Sequence, residues 1–281
     1  MRRKAMISGA GLGLKREMVE EFVTEGLPSS INFLEVAPEN WLKVPPRLAR
    51  KFRSLTEQYP FVCHGLSLSI GAPAPLDIEF VKQVKRFLDT HGIDLYSEHL
   101  SYCSGNAHMY DLMPIPFTEE AVDHVAARIR TVQEIIERPL IIENVSYYAE
   151  PGAEMEEVTF INEVLKRADC KLLLDVNNIY VNSINHNYDA DEFLQGIDGS
   201  RTAYYHVAGH YKEADDFLVD THGAPVNDPV WGLLQRAYQL HGIHPTLLER
   251  DFNLPKTSEL VGEIDRIHEI AADVKGVKQS A

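Results

Sequence analysis

Short apolar runs alternate with amphipathic stretches along the whole chain. The apolar runs predict strands at Ala5–Gly9, Ile31–Val36, Phe61–His64, Asp94–His99, Leu140–Asn144, Lys171–Val176, Ala203–Val207 and Thr246–Glu249. Most are short, continuous and rich in Leu or β-branched residues, as parallel strands covered on both faces should be. Between them, Thr118–Arg138 places Val122, Val125, Ile129, Val132 and Ile136 at steps of three and four, which makes one apolar helix stripe. Thr257–Val274 repeats the pattern with Leu260, Ile264, Ile267, Ala271 and Val274. Further helices are expected at Lys15–Gly26, Pro46–Tyr59, Leu76–His91, Glu156–Ala168 and Pro229–Gly242, with a fragmentary one at Ala190–Gly199. Gly26, Gly92 and Gly242 stand where helices would end. The stretch from Asn177 to Arg201 is long for a single connection, and long loops in such folds tend to serve function.

Eight strands alternating with helices predict an α/β fold, a single closed (β/α)8 TIM barrel occupying residues 1–281 as one domain. The competitor is a doubly wound open sheet, which would carry a glycine-rich nucleotide turn. Gly9-x-Gly11-x-Gly13 has the wrong spacing for that turn and reads as a tight strand-to-helix connection. No linker or low-complexity stretch divides the chain.

Composition narrows the function. Hydrophobic residues make up 44%, enough for a large core, but no apolar run approaches the roughly 18 residues of a membrane span. The basic start Met-Arg-Arg-Lys is followed by glycines rather than by an apolar signal core, so a cytoplasmic protein with no membrane partner is expected. Forty-two acidic against 27 basic residues give a net charge of −15, which disfavours nucleic acid as a partner. Carboxylates that bind cations would count as bare charge in that sum. Cys63, Cys103 and Cys170 are far apart and form no CxxC pair, so reduced buried thiols are expected.

The chemistry sits at the strand ends. The third to eighth predicted strands finish in His64, His99, Glu143, Asp175, His206 and Glu249. Any one of these alone is as readily a satisfied core histidine or an ion-paired carboxylate. In a closed barrel, however, six consecutive strand ends surround one point on the C-terminal rim, where barrels of this kind place their active sites. Three carboxylates brought together there repel unless cations neutralise them. A mixed His, Asp and Glu shell suits iron, zinc or manganese. Asp220 and His222 form a D-x-H pair that can aim both side chains at one ion, and Asn178 can add an amide oxygen. His210 is a candidate acid, base or substrate contact, and Asp251 and Arg250 are candidates to orient Glu249 or touch substrate. Glu35, Glu39 and Asn40 are expected to follow the second strand toward the same rim. Glu98 should point away from the barrel axis, toward an ion pair with a helix.

The runs His64-Gly-Leu-Ser-Leu-Ser-Ile-Gly, Glu98-His99-Leu-Ser, Glu143-Asn144-Val, Asp175-Val-Asn177-Asn178, His206-Val-Ala-Gly-His210, Asp220-Thr-His222-Gly and Glu249-Arg-Asp251 resemble the multinuclear non-haem iron-dependent oxidases. That family was long catalogued as a domain of unknown function and includes the methanobactin biosynthesis oxidase. The resemblance runs from about Gly9 to Pro255 and places the chain in the xylose isomerase-like barrel superfamily. It implies a first metal on His64, His99 and Glu143, and a second on Glu143, Asp175, His206 and Glu249, with Glu143 bridging. A third would sit on Asp220, His222 and Asn178. It further implies two or three iron ions, with zinc or manganese as substitutes. The substrates implied are dioxygen and a cysteine-containing, ribosomally made precursor peptide, often delivered by a precursor-binding partner protein. His210 would then move a proton. The superfamily also contains endonuclease-four-type repair enzymes, whose pattern has a histidine where this chain has Asn178. The alternatives are a metal-dependent phosphoesterase or endonuclease, a sugar isomerase or epimerase, and a non-catalytic metal-binding protein.

Overall fold

A computed structural model describes residues 7–104, 108–149 and 152–280. Eight parallel strands close into a barrel: β1 (Ala10–Gly13), β2 (Phe33–Val36), β3 (Phe61–Gly65), β4 (Tyr96–His99), β5 (Leu140–Glu143), β6 (Lys171–Asp175), β7 (Thr202–Val207) and β8 (Thr246–Leu248). Each strand pairs with its neighbours in chain order, and β8 pairs with β1 through Ala10–Thr246, Gly11–Leu247 and Leu12–Leu248. This is a (β/α)8 barrel, and a closed sheet of this kind has no exposed edge.

The first strand departs from expectation. Of the expected Ala5–Gly9, Ala5 and Met6 lie outside the described residues, and Ile7–Gly9 precede the ladder. The strand is Ala10–Gly13 instead, so two of the three spaced glycines lie in the sheet rather than in a turn. Gly11 is there for space: a Cβ on it would lie 2.4 Å from the Phe33 ring of β2.

Inside the barrel, Phe33, Val62, Ile141, Leu173, Tyr204 and Leu247 pack into a small cluster of their own. Side chains on a strand alternate faces, so residues two positions further along point inward as well. Those residues are Glu35, His64, Glu143, Asp175, His206 and Glu249. The polar ring is therefore stacked directly on an apolar plug. The larger core lies between barrel and helices, where Val122, Val125, Ile129, Val132 and Ile136 of the helix Glu119–Ile136 are fully buried, as their stripe predicts. Asp77, Thr118 and Asn227 cap helices by accepting a backbone N–H three residues on. The helix Ile78–His91 ends at Gly92 in the left-handed region, and Gly26 and Gly242 also have positive φ.

Three rim elements go beyond the sequence pattern. The stretch after β6 folds into a helix, Val176–Asn185, before the shorter helix Ala190–Gly196. Antiparallel hairpins stand after β4 (Ser101–Ser104 with His108–Pro114) and after β7 (Tyr211–Ala214 with Phe217–Val219). The three cysteines are buried and outside any disulfide. No described helix is long and apolar enough to cross a membrane.

Candidate metal centre

Strand register sets the donor atoms side by side. His99 pairs with Glu143 across β4 and β5, and Asp175 with His206 across β6 and β7. Glu249 extends β8 by one residue, donating its backbone N–H to the Val207 carbonyl at 2.9 Å. Three groups result. In the first, His64 Nε2 lies 3.1 Å from His99 Nε2 and 3.2 Å from Glu143 Oε2, which is 3.3 Å from His99 Nε2. In the second, His206 Nδ1 faces Glu143 Oε1 at 3.2 Å, Glu249 Oε2 at 3.1 Å and Asp175 Oδ2 at 3.9 Å. In the third, His222 Nδ1 lies 3.3 Å from Glu249 Oε2 and 3.2 Å from Asp251 Oδ2, while its Nε2 lies 2.6 Å from Asp220 Oδ1. Glu143 thus gives one oxygen to each of the first two groups, and Glu249 Oε2 serves the second and third.

These atoms face one another without satisfying one another. Asp175 Oδ2, His206 Nδ1, His222 Nε2 and Glu249 Oε2 are buried and have no partner in hydrogen-bonding geometry. Buried polar atoms are almost always paired, and a convergent set of unpaired donors and acceptors implies something between them. Two anions about 4 Å apart repel by about 4 kcal/mol at an effective dielectric constant of 20. The charge states respond to that strain. Burial disfavours the His64 imidazolium, yet Glu143 and Glu35 overcome it and hold the group up at about 9. His206 and His222 are likewise held well above the usual histidine range, against burial, by the surrounding carboxylates. Burial and the neighbouring His64 push His99 down to about 4. Burial and Glu143 push the Asp175 carboxyl up. The ring recruits protons as counter-charge, and divalent cations among nitrogen and oxygen donors would supply that charge directly. The residues present therefore fit divalent metal ions.

The remaining candidates fall close by. Asp251 accepts from Lys15 and lies 3.2 Å from His222 Nδ1, contributing an oxygen to the third group, with no hydrogen bond to Glu249 among the described residues. Asp220 also accepts from Ser146 Oγ and Asn177 Nδ2, at 2.9 and 2.8 Å. Asn178 is buried, with Nδ2 donating to the Asn144 carbonyl and Oδ1 unpartnered. His210 stands beside the ring, Nδ1 on Asn177 Oδ1 at 2.8 Å and Nε2 on Asn227 Nδ2 at 3.1 Å. Arg250 pairs with Glu263 and not with Glu249. Glu98 points outward as expected, but bonds the Tyr96 hydroxyl at 2.6 Å and the Leu68 amide at 3.2 Å instead of a helix cation. Its carboxyl is raised to about 8 by burial and by Glu39. Glu35 lies within β2, not after it, and accepts from His206 Nε2 at 3.2 Å. The alternation Phe33-x-Glu35 carried that inward orientation, as Leu95-x-Ser97 did for Ser97, which bonds His64.

A (β/α)8 barrel with one donor from each of six successive strands and a carboxylate shared between groups has the make-up of a metal-dependent barrel enzyme. The chain belongs to the family described as "RiPP precursor modification enzyme MbnB/TglH/ChrH", whose model matches residues 9–272; RiPPs are ribosomally made, post-translationally modified peptides. A UPF0276 protein of Shewanella sediminis is 64% identical over 259 residues, covering 92% of this chain and 93% of that protein. A UPF0276 protein of Pseudomonas aeruginosa is 53% identical over 268 residues, covering 95% and 94%. Among solved structures, a D-tagatose 3-epimerase-like protein superposes with TM-score 0.62 at 13% identity, covering 94% of this chain and 98% of that one. D-psicose 3-epimerase of Clostridium cellulolyticum H10 gives 0.59 at 11%, covering 98% and 99%. At such identities the epimerases share the fold alone.

Proposed function

We propose that this protein is a multinuclear non-haem iron oxidase that uses dioxygen to modify cysteine residues of a ribosomally made precursor peptide. Membership of a peptide-modifying family supports the substrate class. The single observation that carries the metal reading is Glu143, whose two oxygens serve two donor groups and would bridge two ions. His64, His99 and Glu143 would hold the first ion, and Glu143, Asp175, His206 and Glu249 the second. Asp220, His222, Glu249 and Asp251 surround the third position, toward which Asn178 is the further candidate.

Iron bound there supplies one-electron chemistry with dioxygen, which zinc does not. The residues do the rest. His206, Asp175 and Glu143 are closed to solvent, whereas His99, His222 and Asp251 have side chains 15%, 14% and 34% exposed. A peptide cysteine therefore reaches the ring from the His99 and His222 sides. His210 gives its Nδ1 hydrogen to Asn177, so Nε2 is the nitrogen free to take a proton once Asn227 yields it. A precursor-binding protein would present the peptide to this face.

Metal analysis of protein purified without chelator is the direct test. Two or more iron per chain, with oxygen uptake when a cysteine-containing precursor peptide is added, is the expected result. Stoichiometric zinc with phosphodiesterase activity would overturn the reading in favour of a phosphoesterase. Glu143→Gln should lose more than one ion per chain; loss of a single ion would rule out the bridge.

A further inference from the structure

Below the donor atoms, five buried groups make one unbroken hydrogen-bonded chain across the barrel. His64 Nδ1 lies 2.8 Å from Ser97 Oγ, Ser97 Oγ lies 2.6 Å from Tyr204 Oη, and Tyr204 Oη lies 2.9 Å from Glu35 Oε2. The same Glu35 oxygen is 3.2 Å from His206 Nε2. None of the five residues is more than 6% exposed, so no solvent interrupts the chain.

Counting hydrogens fixes its direction. A carboxylate accepts and does not donate. Tyr204 therefore gives its only hydroxyl hydrogen to Glu35. The 2.6 Å Ser97–Tyr204 contact still needs a hydrogen, and Ser97 provides it in preference to the more distant Cys63 carbonyl at 3.3 Å. Ser97 can then only accept from His64, so His64 Nδ1 carries a hydrogen. From the other side, His206 Nε2 must donate to Glu35. Each histidine is thereby left with its opposite nitrogen toward the ring: His64 Nε2 beside His99 and Glu143, and His206 Nδ1 beside Glu143, Asp175 and Glu249.

We propose that Glu35 is the common anchor that fixes the tautomers of His64 and His206 together, through Tyr204 and Ser97, so that both present a lone pair to the metal groups. Glu35, Tyr204 and Ser97 are positioning residues; none of them lies among the donor groups. A partner on the far nitrogen of a metal-binding histidine sets its ring orientation and basicity, and losing it usually costs about 10–100-fold in metal affinity. Here two histidines of two different groups depend on one carboxylate. The metal-binding consequence rests on the proposed metal reading, whereas the hydrogen positions do not.

The test is nitrogen-15 NMR of histidine-labelled protein, metal-free and zinc-loaded, with zinc titration alongside. In the zinc-loaded wild type, His64 should carry its hydrogen on Nδ1 alone and His206 on Nε2 alone; in the metal-free form, where the surrounding carboxylates favour imidazolium, the same Nδ1–H and Nε2–H signals are the ones followed. Glu35→Ala should shift the signals of His206 and also those of the distant His64, because Tyr204 is released to point back at Ser97. Zinc affinity should fall about 10–100-fold. In the Tyr204→Phe background, which cuts the chain, Glu35→Ala should no longer move His64. If the alanine variant does not fold, Glu35→Leu fills nearly the same space and removes the acceptor outright. His64 signals indifferent to both Glu35 variants, or a His64 response that persists in the Tyr204→Phe background, would overturn the relay. A wild type that takes up no zinc would sink the metal reading alone, since the metal-free spectra still decide the relay.

Discussion

His210 and Glu157 show how one side chain can be read for its task. His210 is half-buried, which lowers its pKa, and its hydrogen bonds to Asn177 and Asn227 keep a neutral ring at the edge of the donor groups without joining them. His210→Gln should leave metal content unchanged and lower turnover by about 10²–10⁴-fold, the usual worth of a positioned proton-transfer group. Equal losses of metal and turnover would instead make it a structural residue. Glu157, on the helix Glu157–Ala168, accepts from the Tyr147 hydroxyl at 3.1 Å beneath an apolar pocket lined by Phe117, Val145, Phe160 and Ile161. Burial raises its carboxyl from 4.5 to about 8. The folded value exceeds the unfolded one, so the unfolded chain releases this proton first. The resulting loss of stability is absent below pH 4.5, grows as pH rises and is complete above pH 8. Glu157→Gln should therefore raise Tm at pH 8 and not at pH 4.5. The gain should be on the order of 1–2 kcal/mol, because the carboxyl keeps some contact with solvent. An equal gain at both pH values would refute this account.

Among the elements, β3 and β4 are tightly matched, because Gly65 at the end of β3 lies directly against side chains of β4. A Cβ on Gly65 would fall 2.1 Å from Glu98 Oε1 and 2.7 Å from the Tyr96 hydroxyl. Gly65→Ala should cost about 1–3 kcal/mol, typical of overpacking, and should also weaken metal uptake, since relief of the clash displaces His64 or His99. Denaturant unfolding and metal analysis on the same sample check both. Strand ends were legible in the sequence because each of six apolar runs closes on an ionisable residue. The plug and the ring above it share a period of two, so Glu35 was legible as well, though not its partner. The hairpins were not: their strands are short, and the rim that supports them has no local pattern. The helix Val176–Asn185 was hidden because Asn, Val and Ser are poor helix formers. It forms because Asp175 caps it, accepting from the Asn178 N–H at 2.7 Å, and because Val176, Ile179 and Val181 are buried. The first strand was misplaced because Ala-Met-Ile-Ser has the apolar look of a strand, whereas Ala10–Gly13 has little side chain at all. Close packing against Phe33 demands that, and propensity does not reveal it.

For the whole molecule, the proposed metal reading ties ion binding to stability, because the convergent carboxylates come together only in the folded barrel. An ion that binds only the folded barrel contributes about 2.7 kcal/mol when its concentration is a hundred times Kd. At about 2–4 °C per kcal/mol, stripping one ion should lower Tm by about 5–10 °C. Calorimetry before and after a chelator, with recovery on adding iron back, measures it. A Tm indifferent to the chelator would argue that the ring folds as a proton-balanced cluster with no resident ion.

Because the sheet closes on itself, no strand can peel away alone. The second group draws its donors from β5, β6, β7 and the end of β8, and His206 at its centre is fully buried. An ion held there has no way out between strands, and leaves only through the mouth lined by His99, His222 and Asp251. Its residence time then becomes a clock for the loops around that mouth, slowing and quickening in step with deuterium exchange at the amides of His222 and Gly223 and indifferent to exchange at Ile142, Leu174 and Val207.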